Sequence, residues 1–392
     1  MPDYQILVDP PRPRWARIVV IAVIVIVGVA AIGTGAYLVK RQDRHGRPAA
    51  GPGTGSSGTT VAKALAVVSS TPATGAVNVA SDQAVTVRLS LPVSGVSGMP
   101  TFSPPVAGSW KKVGPAELSF LATAPFVPTS TESLVIPPGA AGPHAEGGQA
   151  LAAPVTIRFT VAQASTERLQ QLLAELNYLP LSFTPSGPLK APTAVTTSQP
   201  GTFAWRWPNP PTSLTSLWIE GYENVVTKGA VMNFENQNGL TVDGLAGAQV
   251  WSSLLADVAT KKLNADPYAY VFVSKQLPES LTLFEDGAPV IFGIPVNTGA
   301  PGADTTDGTY PVFEHVTSSR MQGTNPDGST YDDPAVPWAS YFNGGDALHG
   351  FVRATYGSPQ SNGCVEMKIS DAAKVWPLSP IGTLVTVVGP AS

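Results

Sequence analysis

The chain of 392 residues contains one cysteine, Cys364, in the stretch "QSNGCVEM" near its C-terminal end. One thiol cannot form an intrachain disulfide, and a free thiol is usually avoided in an oxidising compartment. Cysteine attacks as a thiolate, and because its ordinary pKa is about 8.5 it needs a base or a cation nearby. The alternative is a buried and inert thiol. Cys364 is therefore a candidate nucleophile, provided that the fold places a base beside it.

Four histidines could supply that base. His45 lies in a predicted tether and His144 in a predicted β-module, which leaves His315 and His349. His349 stands in the strand-like stretch "ALHGFV", fifteen residues before the cysteine. From the residues alone, His315 and His349 both stay candidates for the base.

The residue before the cysteine, Gly363, permits a tight turn in which backbone N–H groups converge on an oxyanion. Together with the two candidate side chains, this favours a cysteine-dependent acyl-transfer enzyme. One cysteine and scattered histidines cannot form a zinc site, and the family resemblance given below implies no metal and no cofactor.

The N-terminal part contains an uncharged stretch of 22 residues, Ile18–Val39. A helix of this length spans about 30 Å, the thickness of the hydrocarbon core of a bilayer. It is longer than the apolar region of a cleaved signal peptide, and a buried globular helix is the alternative. We predict a transmembrane signal anchor at 18–39 after a cytoplasmic segment at 1–17. Basic residues flank both ends, so the orientation depends on the domains that follow.

Residues 40–61 are rich in Gly, Pro and Ser and predict a flexible linker. Residues 62–162 then show apolar residues at every second position in two stretches, which is typical of half-buried strands. These positions are Val85, Val87, Leu89, Leu91, Val155, Ile157, Phe159 and Val161. The stretches "STPATGAVNVASDQAVTVRLSLPV" and "APVTIRFTV" resemble a bacterial Ig-like domain. The resemblance implies an all-β sandwich that serves as a spacer.

Residues 163–263 predict a small α-helical domain. The stretch "STERLQQLLAELNYLP" has leucines at helical spacing, with Ser165 as a possible cap. It is followed by "GAVMNFENQNGL", "TVDGLAG" and "AQVWSSLL", and the set resembles a peptidoglycan-binding three-helix domain. The matching positions are mostly core and turn residues, so both a spacer and a glycan-binding or stem-peptide-binding role stay open. Trp205 and Trp207 could stack on a sugar or pack in a core.

Residues 264–392 are strand-rich, with a hairpin signal at Asp286–Gly287. The stretch "HGF" and the later "SNGCVEM" resemble the active-site signature of the L,D-transpeptidase (YkuD-type) family, a His-Gly pair followed by Ser-X-Gly-Cys. The segments "PVNTG", "DGTYPV" and "GTLVTV" extend the resemblance. It implies a mainly-β catalytic domain.

The same resemblance implies a mechanism and the roles of six residues. Cys364 attacks the third residue of a peptidoglycan tetrapeptide stem and releases D-alanine, and an amine of a neighbouring stem then gives a 3→3 cross-link. His349 is implied as the general base and acid, oriented by the backbone carbonyl of Gly350. The backbone N–H groups of Gly363 and Cys364 are implied to stabilise the oxyanion. Ser361 and Asn362 are implied to shape the turn. Carbapenem-type β-lactams are implied as covalent inhibitors.

The section 321–345 reads as loop-rich and corresponds to a substrate-covering loop in the family. Its aromatic residues are candidate substrate contacts, with packing as the alternative: Tyr331, Trp338 and Tyr341. Two positions depart from the family pattern. The family often has histidine where this chain has Asn362, and arginine or asparagine where it has Glu366. A carboxylate at 366 raises the alternative of a catalytically silent wall-binding scaffold. An L,D-carboxypeptidase and an enzyme that attaches proteins to the wall also stay open.

The composition agrees with a multidomain protein with many turns, since the chain has 38 Gly and 39 Pro, 43% hydrophobic residues and 13% charged residues. With a formal net charge of −4 and no basic patch, we expect no nucleic-acid partner. The predicted order is transmembrane helix, Ig-like sandwich, helical domain and catalytic domain. It implies a single-pass protein of the cell membrane whose C-terminal domains face the cell wall.

Overall fold

The computed structural model describes residues 64–95, 98–188 and 196–390. The predicted cytoplasmic segment 1–17, the anchor 18–39 and the linker 40–61 lie outside these ranges, so they stay predictions. None of the helices in the described ranges combines the length and apolar character that a bilayer crossing needs.

The first module is a sandwich of two four-stranded sheets, ordered β1-β3-β6-β5 and β2-β8-β7-β4. Its strands are β1 Val67–Thr71, β2 Ala76–Val79, β3 Val85–Leu89, β4 Thr101–Phe102, β5 Gly108–Gly114, β6 Glu117–Ala122, β7 Thr131–Ile136 and β8 Val155–Val161. The alternation read from the sequence is confirmed in β3, where Val85, Val87 and Leu89 are buried and the residues between them are not. The core lies between the sheets and receives apolar residues from both.

The second module contains helices α1 Thr166–Glu175, α2 Thr212–Thr215, α3 Val225–Gln237 and α4 Ala248–Thr260, and a hairpin of β9 Leu181–Pro185 and β10 Gly201–Trp205. The predicted cap is confirmed, because the Ser165 hydroxyl accepts a hydrogen bond from the N–H of Arg168. Half-buried Trp205 packs on the helical core, and Trp207 lies against Tyr268, 6.0 Å between ring centroids. Both tryptophans therefore have packing roles in the structure.

The helical core continues into the last module. Tyr270 and Leu384 of that module belong to the same buried cluster as the helices. A side chain at Gly229 of α3 would overlap the carbonyl of Gly382, so the two backbones touch at glycine. The helical module thus packs directly on the module that follows it.

The last module is built of two sheets, ordered β13-β12-β11-β19-β14 and β15-β16-β17-β18. Its elements are β11 Ala269–Ser274, β12 Ser280–Glu285, β13 Ala288–Pro295, β14 Gly308–Pro311, β15 Glu314–Thr324, β16 Thr330–Asn343, β17 Asp346–Gly350, β18 Val365–Met367, α5 Ile369–Val375 and β19 Leu384–Val388. The hairpin signal is confirmed, since Asp286 and Gly287 both have positive φ angles, 47° and 79°, between β12 and β13.

The prediction of a loop-rich section at 321–345 was wrong. Most of it lies in β15 and β16, which pair as a long antiparallel hairpin, and only 325–329 forms the connecting turn. Two prolines, Pro334 and Pro337, lie within β16. They are tolerated because β16 pairs with β17 only from Ser340 onward, so this part of β16 has one neighbour.

Candidate active site

The loop that carries the cysteine rests on the segment after β13. The carbonyl of Thr298 accepts hydrogen bonds from the N–H groups of Gln360 and Ser361, at 2.8 and 2.9 Å. Thr298 is held in turn by the buried carboxylate of Glu279, which accepts bonds from its N–H and its hydroxyl, each 2.7 Å. A rigid platform therefore fixes the start of the cysteine loop.

The turn before Cys364 has internal hydrogen bonds. The hydroxyl of Ser361 donates to the carbonyl of Cys364 at 2.5 Å and accepts from the N–H of Gly363 at 3.2 Å. Gly363 has a φ of 111°, which only glycine adopts readily. Because the N–H of Gly363 is already bonded, the N–H of Cys364 is the more accessible of the two predicted oxyanion donors. Ser361 holds the turn in shape.

The thiol and the imidazole come from neighbouring parallel strands. In the register of β17 and β18, Leu348 is opposite Val365 and His349 is opposite Glu366. Cys364 directly precedes β18 and is level with Ala347, two residues from His349 on the same side of β17. In the described structure the thiol donates to the carbonyl of Gly345, 3.7 Å away, and not to the imidazole.

The histidine is buried, with 3% of its surface exposed. Its Nδ1 lies 3.2 Å from the carbonyl of Gly350. Since a carbonyl only accepts, Nδ1 carries the proton and Nε2 keeps the lone pair that a base needs. Burial lowers the pKa of His349, and the bond to Gly350 opposes this in part. The imidazole is therefore neutral near pH 7.

The thiol is also neutral at this pH. Burial raises the pKa of Cys364 to about 12, and the negative charges of Asp346 and Glu366 add to the effect, while a backbone hydrogen bond at Ala347 opposes it. The site thus holds a neutral thiol and a neutral imidazole rather than a thiolate–imidazolium pair. The proton of Cys364 must leave as the sulfur attacks.

We expect this to be visible in the pH dependence of alkylation. Only the thiolate reacts, so the rate with iodoacetamide should rise about tenfold per pH unit from pH 7 to pH 10 without a plateau. Intact-mass kinetics measure it directly, because the chain has no other cysteine. A rate that is already constant above pH 7 would contradict the prediction and indicate a preformed ion pair.

The unusual carboxylate at position 366 is paired. Glu366 is 4% exposed and forms two hydrogen bonds of 2.7 Å with the Nε and Nη2 atoms of Arg353. Arg353 also donates to the carbonyl of Gln360 and lies over the ring of Phe351, 4.8 Å from its centroid. The pair therefore links β18 and the segment after β17 to the cysteine loop, and the charge of Glu366 is compensated.

The β15–β16 hairpin reaches the cysteine loop. Asn362 donates to the side-chain oxygen of Asn325 in the hairpin turn at 2.6 Å. Tyr331, near the start of β16, lies within electrostatic reach of Cys364. Burial is the larger cause that raises the pKa of its phenol, and the charge of the cysteine is the second. Residues 321–345 were expected to cover the site as a loop. The structure has a β-hairpin that reaches the site in that place.

The other two aromatic candidates have packing partners. The ring of Trp338 lies 5.4 Å from that of Trp376 and packs, partly buried, against the core of this module. The hydroxyl of Tyr341 is 2.7 Å from that of Ser319 on the paired strand. All three predicted substrate contacts lie in β16, and Tyr331 is the one whose phenol is within electrostatic reach of Cys364.

Sequence reasoning missed two charged residues of the site, Asp346 and Arg353. Both lie within four residues of His349, in "GGDALHGFVR", and this local crowding of charge was the available signal. Asp346 packs against Gly363, where a side chain would overlap its carboxylate. The site therefore contains an acid beside the nucleophile that the signature does not include.

Residues 268–387 match the family of L,D-transpeptidase catalytic domains, and residues 61–161 match that of bacterial Ig-like domains. Comparison with curated proteins finds no match.

The chain is also similar to proteins of known structure. The chain is similar to an L,D-transpeptidase from Mycobacterium smegmatis, with 14% identity over 83% of this chain and 100% of the other, at a TM-score of 0.29. A second similar structure is L,D-transpeptidase 3 from Mycobacterium tuberculosis in complex with a faropenem-derived adduct. It shares 15% identity with this chain over 82% of this chain and 97% of the other, at a TM-score of 0.28. A third is the catalytic domain of an L,D-transpeptidase from E. faecium, acylated by ertapenem. It shares 22% identity over 32% of this chain and 99% of the other, at a TM-score of 0.28.

Proposed function

We propose that this chain, whose residues 268–387 form an L,D-transpeptidase catalytic domain, forms 3→3 cross-links in peptidoglycan with Cys364 as the nucleophile. The observation that carries the proposal is the pairing of β17 with β18, which places His349 and Cys364 on one side of adjacent strands. The bond of Nδ1 to Gly350 leaves Nε2 as the base.

In the first step, the sulfur of Cys364 attacks the carbonyl of the third residue of a donor tetrapeptide as its proton passes to Nε2 of His349. The N–H of Cys364 stabilises the oxyanion, and one such donor contributes about 3–4 kcal/mol. The bond to D-alanine breaks, and His349 returns the proton to the leaving amine. The product is a thioester on Cys364.

In the second step, the side-chain amine of a neighbouring stem attacks the thioester carbon. A new amide bond forms, the carbon–sulfur bond breaks, and a proton from the amine returns to the thiolate through His349. Ser361 and Asn362 contribute by holding the turn, through the bonds to Cys364 and Asn325. Neither step needs a metal or an organic cofactor.

The proposed location supports the same role. An anchor at 18–39 and a linker at 40–61, followed by two modules, would hold the catalytic domain outside the membrane at the wall polymer. The orientation follows from that substrate, and reporter fusions that show a cytoplasmic C-terminus would contradict it.

The same nucleophile suggests covalent inhibition. Two of the similar proteins were solved with a faropenem-derived adduct and after acylation by ertapenem. We extend this to Cys364 of the present chain and propose that carbapenem-type β-lactams acylate it.

The proposal is tested with the full chain in detergent, incubated with a disaccharide-tetrapeptide. Intact-mass spectrometry should show an acyl adduct, with free D-alanine and a cross-linked dimer among the products. D-alanine without a dimer would indicate an L,D-carboxypeptidase or the absence of the right acceptor, including a protein acceptor.

Neither adduct nor D-alanine from a folded protein would favour a wall-binding scaffold. The sequence argument for that alternative was Glu366. Its pairing with Arg353 weakens the argument, because the carboxylate does not stand in the site as an uncompensated charge.

A further inference from the structure

The carboxylate of Asp346 lies beside Gly363, the residue that precedes the nucleophile. Asp346 begins β17, three residues before His349, and its Oδ1 fills the space that a side chain at Gly363 would need. Its negative charge acts on the thiol of Cys364. Asp346 therefore contacts the loop that carries Cys364, and its charge acts on the sulfur of that residue.

Among the residues that the structure describes, no Lys, Arg or His forms an ion pair with Asp346. Its one hydrogen bond comes from the side-chain amide of Asn343, at 3.4 Å. The other carboxylate that acts on Cys364, that of Glu366, is paired with Arg353. Asp346 thus differs from its neighbour in having no cation to compensate it.

Because no cation among the described residues compensates it, the charge of half-buried Asp346 is unfavourable in two ways. It opposes formation of the thiolate, and burial raises its own pKa to about 6. A bound cation would remove both effects. The acceptor stem of the proposed reaction carries such a cation, its side-chain ammonium. An alkyl ammonium has an ordinary pKa of about 10.4, so it is protonated when it arrives and cannot attack until it loses a proton.

We propose that Asp346 binds the side-chain ammonium of the acceptor stem, directs it at the thioester on Cys364 and takes its first proton. This inference rests on the proposed function. The N–H bond breaks toward the carboxylate, the neutral amine forms the new C–N bond, and the C–S bond breaks. The second proton of the amine reaches the thiolate through His349, and Asp346 releases its proton to water.

This role makes the site selective for an acceptor. A cationic amine is attracted and activated at Asp346, whereas water and a neutral acceptor gain nothing from its charge. The carboxylate that slows formation of the thiolate in the first step thus favours transfer over hydrolysis in the second.

Asp346→Asn tests the proposal in the full chain, because it keeps the shape of the side chain and removes the charge. Acylation by a disaccharide-tetrapeptide should be at least as fast as in the wild type, since a charge opposing the thiolate is gone. Transfer to an acceptor stem should fall at least tenfold, with a higher KM for the acceptor, while hydrolysis continues. Asp332→Asn is the matched control, because Asp332 is an exposed carboxylate paired with Arg320, and it should change neither step.

A second readout needs no turnover. A stem peptide with a free side-chain amine should protect Cys364 from iodoacetamide in the wild type at concentrations at least tenfold lower than in Asp346→Asn. The same peptide with its amine acetylated should protect both proteins equally.

Equal loss of acylation and transfer in Asp346→Asn, unchanged transfer, or equal protection of the two proteins by the free amine would overturn the proposal. If the wild type forms no acyl-enzyme, the proposed function fails, and the protection experiment still decides the role of Asp346.

Discussion

Cys364→Ala is expected to lose acyl-enzyme formation and D-alanine release by at least about 10⁴-fold, the scale on which removal of a nucleophile acts in acyl-transfer enzymes. The fold should be little affected. The thiol makes one hydrogen bond of 3.7 Å to the carbonyl of Gly345, so its removal should change the free energy of unfolding by no more than about 1 kcal/mol. Intact-mass spectrometry with the tetrapeptide and thermal unfolding measure the two effects.

Cys364→Ser is the matched control, since it keeps a polar atom at nearly the same position but has a hydroxyl that is a much weaker nucleophile. It should bind the donor and form no detectable adduct. If Cys364→Ala released D-alanine at the rate of the wild type, the chemistry would belong to another group and the proposed mechanism would be wrong.

Features that depend on neighbouring residues were predictable from the sequence. Ser165 stands where a helix begins and its hydroxyl has one nearby N–H to accept from. The dipeptide Asp286–Gly287 tolerates the positive φ angles of a tight turn, so the hairpin could be located. The alternation in β3 is likewise local, because one face of a strand meets the core.

Features that depend on the pairing of distant segments were not predictable. The signature indicated His349 and Cys364, but only the parallel register shows that Glu366 is opposite His349 and within reach of Arg353. The contact between Asp346 and Gly363 arises in the same way. A single sequence contains no direct information on such pairings, since they follow from how the two strands align.

The β15–β16 hairpin shows a different limit. Its polar residues and prolines read as a loop because they lack alternation, and β16 has one neighbour over that length. Residues 330–335 of this strand contain no fully buried side chain, so no core face imposes a pattern on them. The position of the covering element was therefore predictable, but its conformation was not.

Arg353→Ala is expected to reduce the free energy of unfolding by about 2–4 kcal/mol. Removal of one partner of a buried ion pair typically costs about 3–5 kcal/mol, and partial exposure of Arg353 reduces this figure. The loss arises because the carboxylate of Glu366 stays buried without its two hydrogen bonds. Urea unfolding measures it, with Arg320→Ala as the matched control. Arg320 forms an equally short pair with Asp332 on the exposed hairpin, and solvent replaces that pair easily, so little change is expected there.

The double variant Arg353→Met, Glu366→Leu separates stability from positioning. Replacement of a buried ion pair by apolar side chains is often neutral or stabilising, so this variant should regain most of the stability that Arg353→Ala loses. It should still acylate at least tenfold more slowly than the wild type, because the bond from Arg353 to the carbonyl of Gln360 at the cysteine loop is gone. Acylation at the wild-type rate in the stable double variant would show that the pair serves the fold alone. Slow acylation at restored stability would show that the two charges hold the cysteine loop in register with His349.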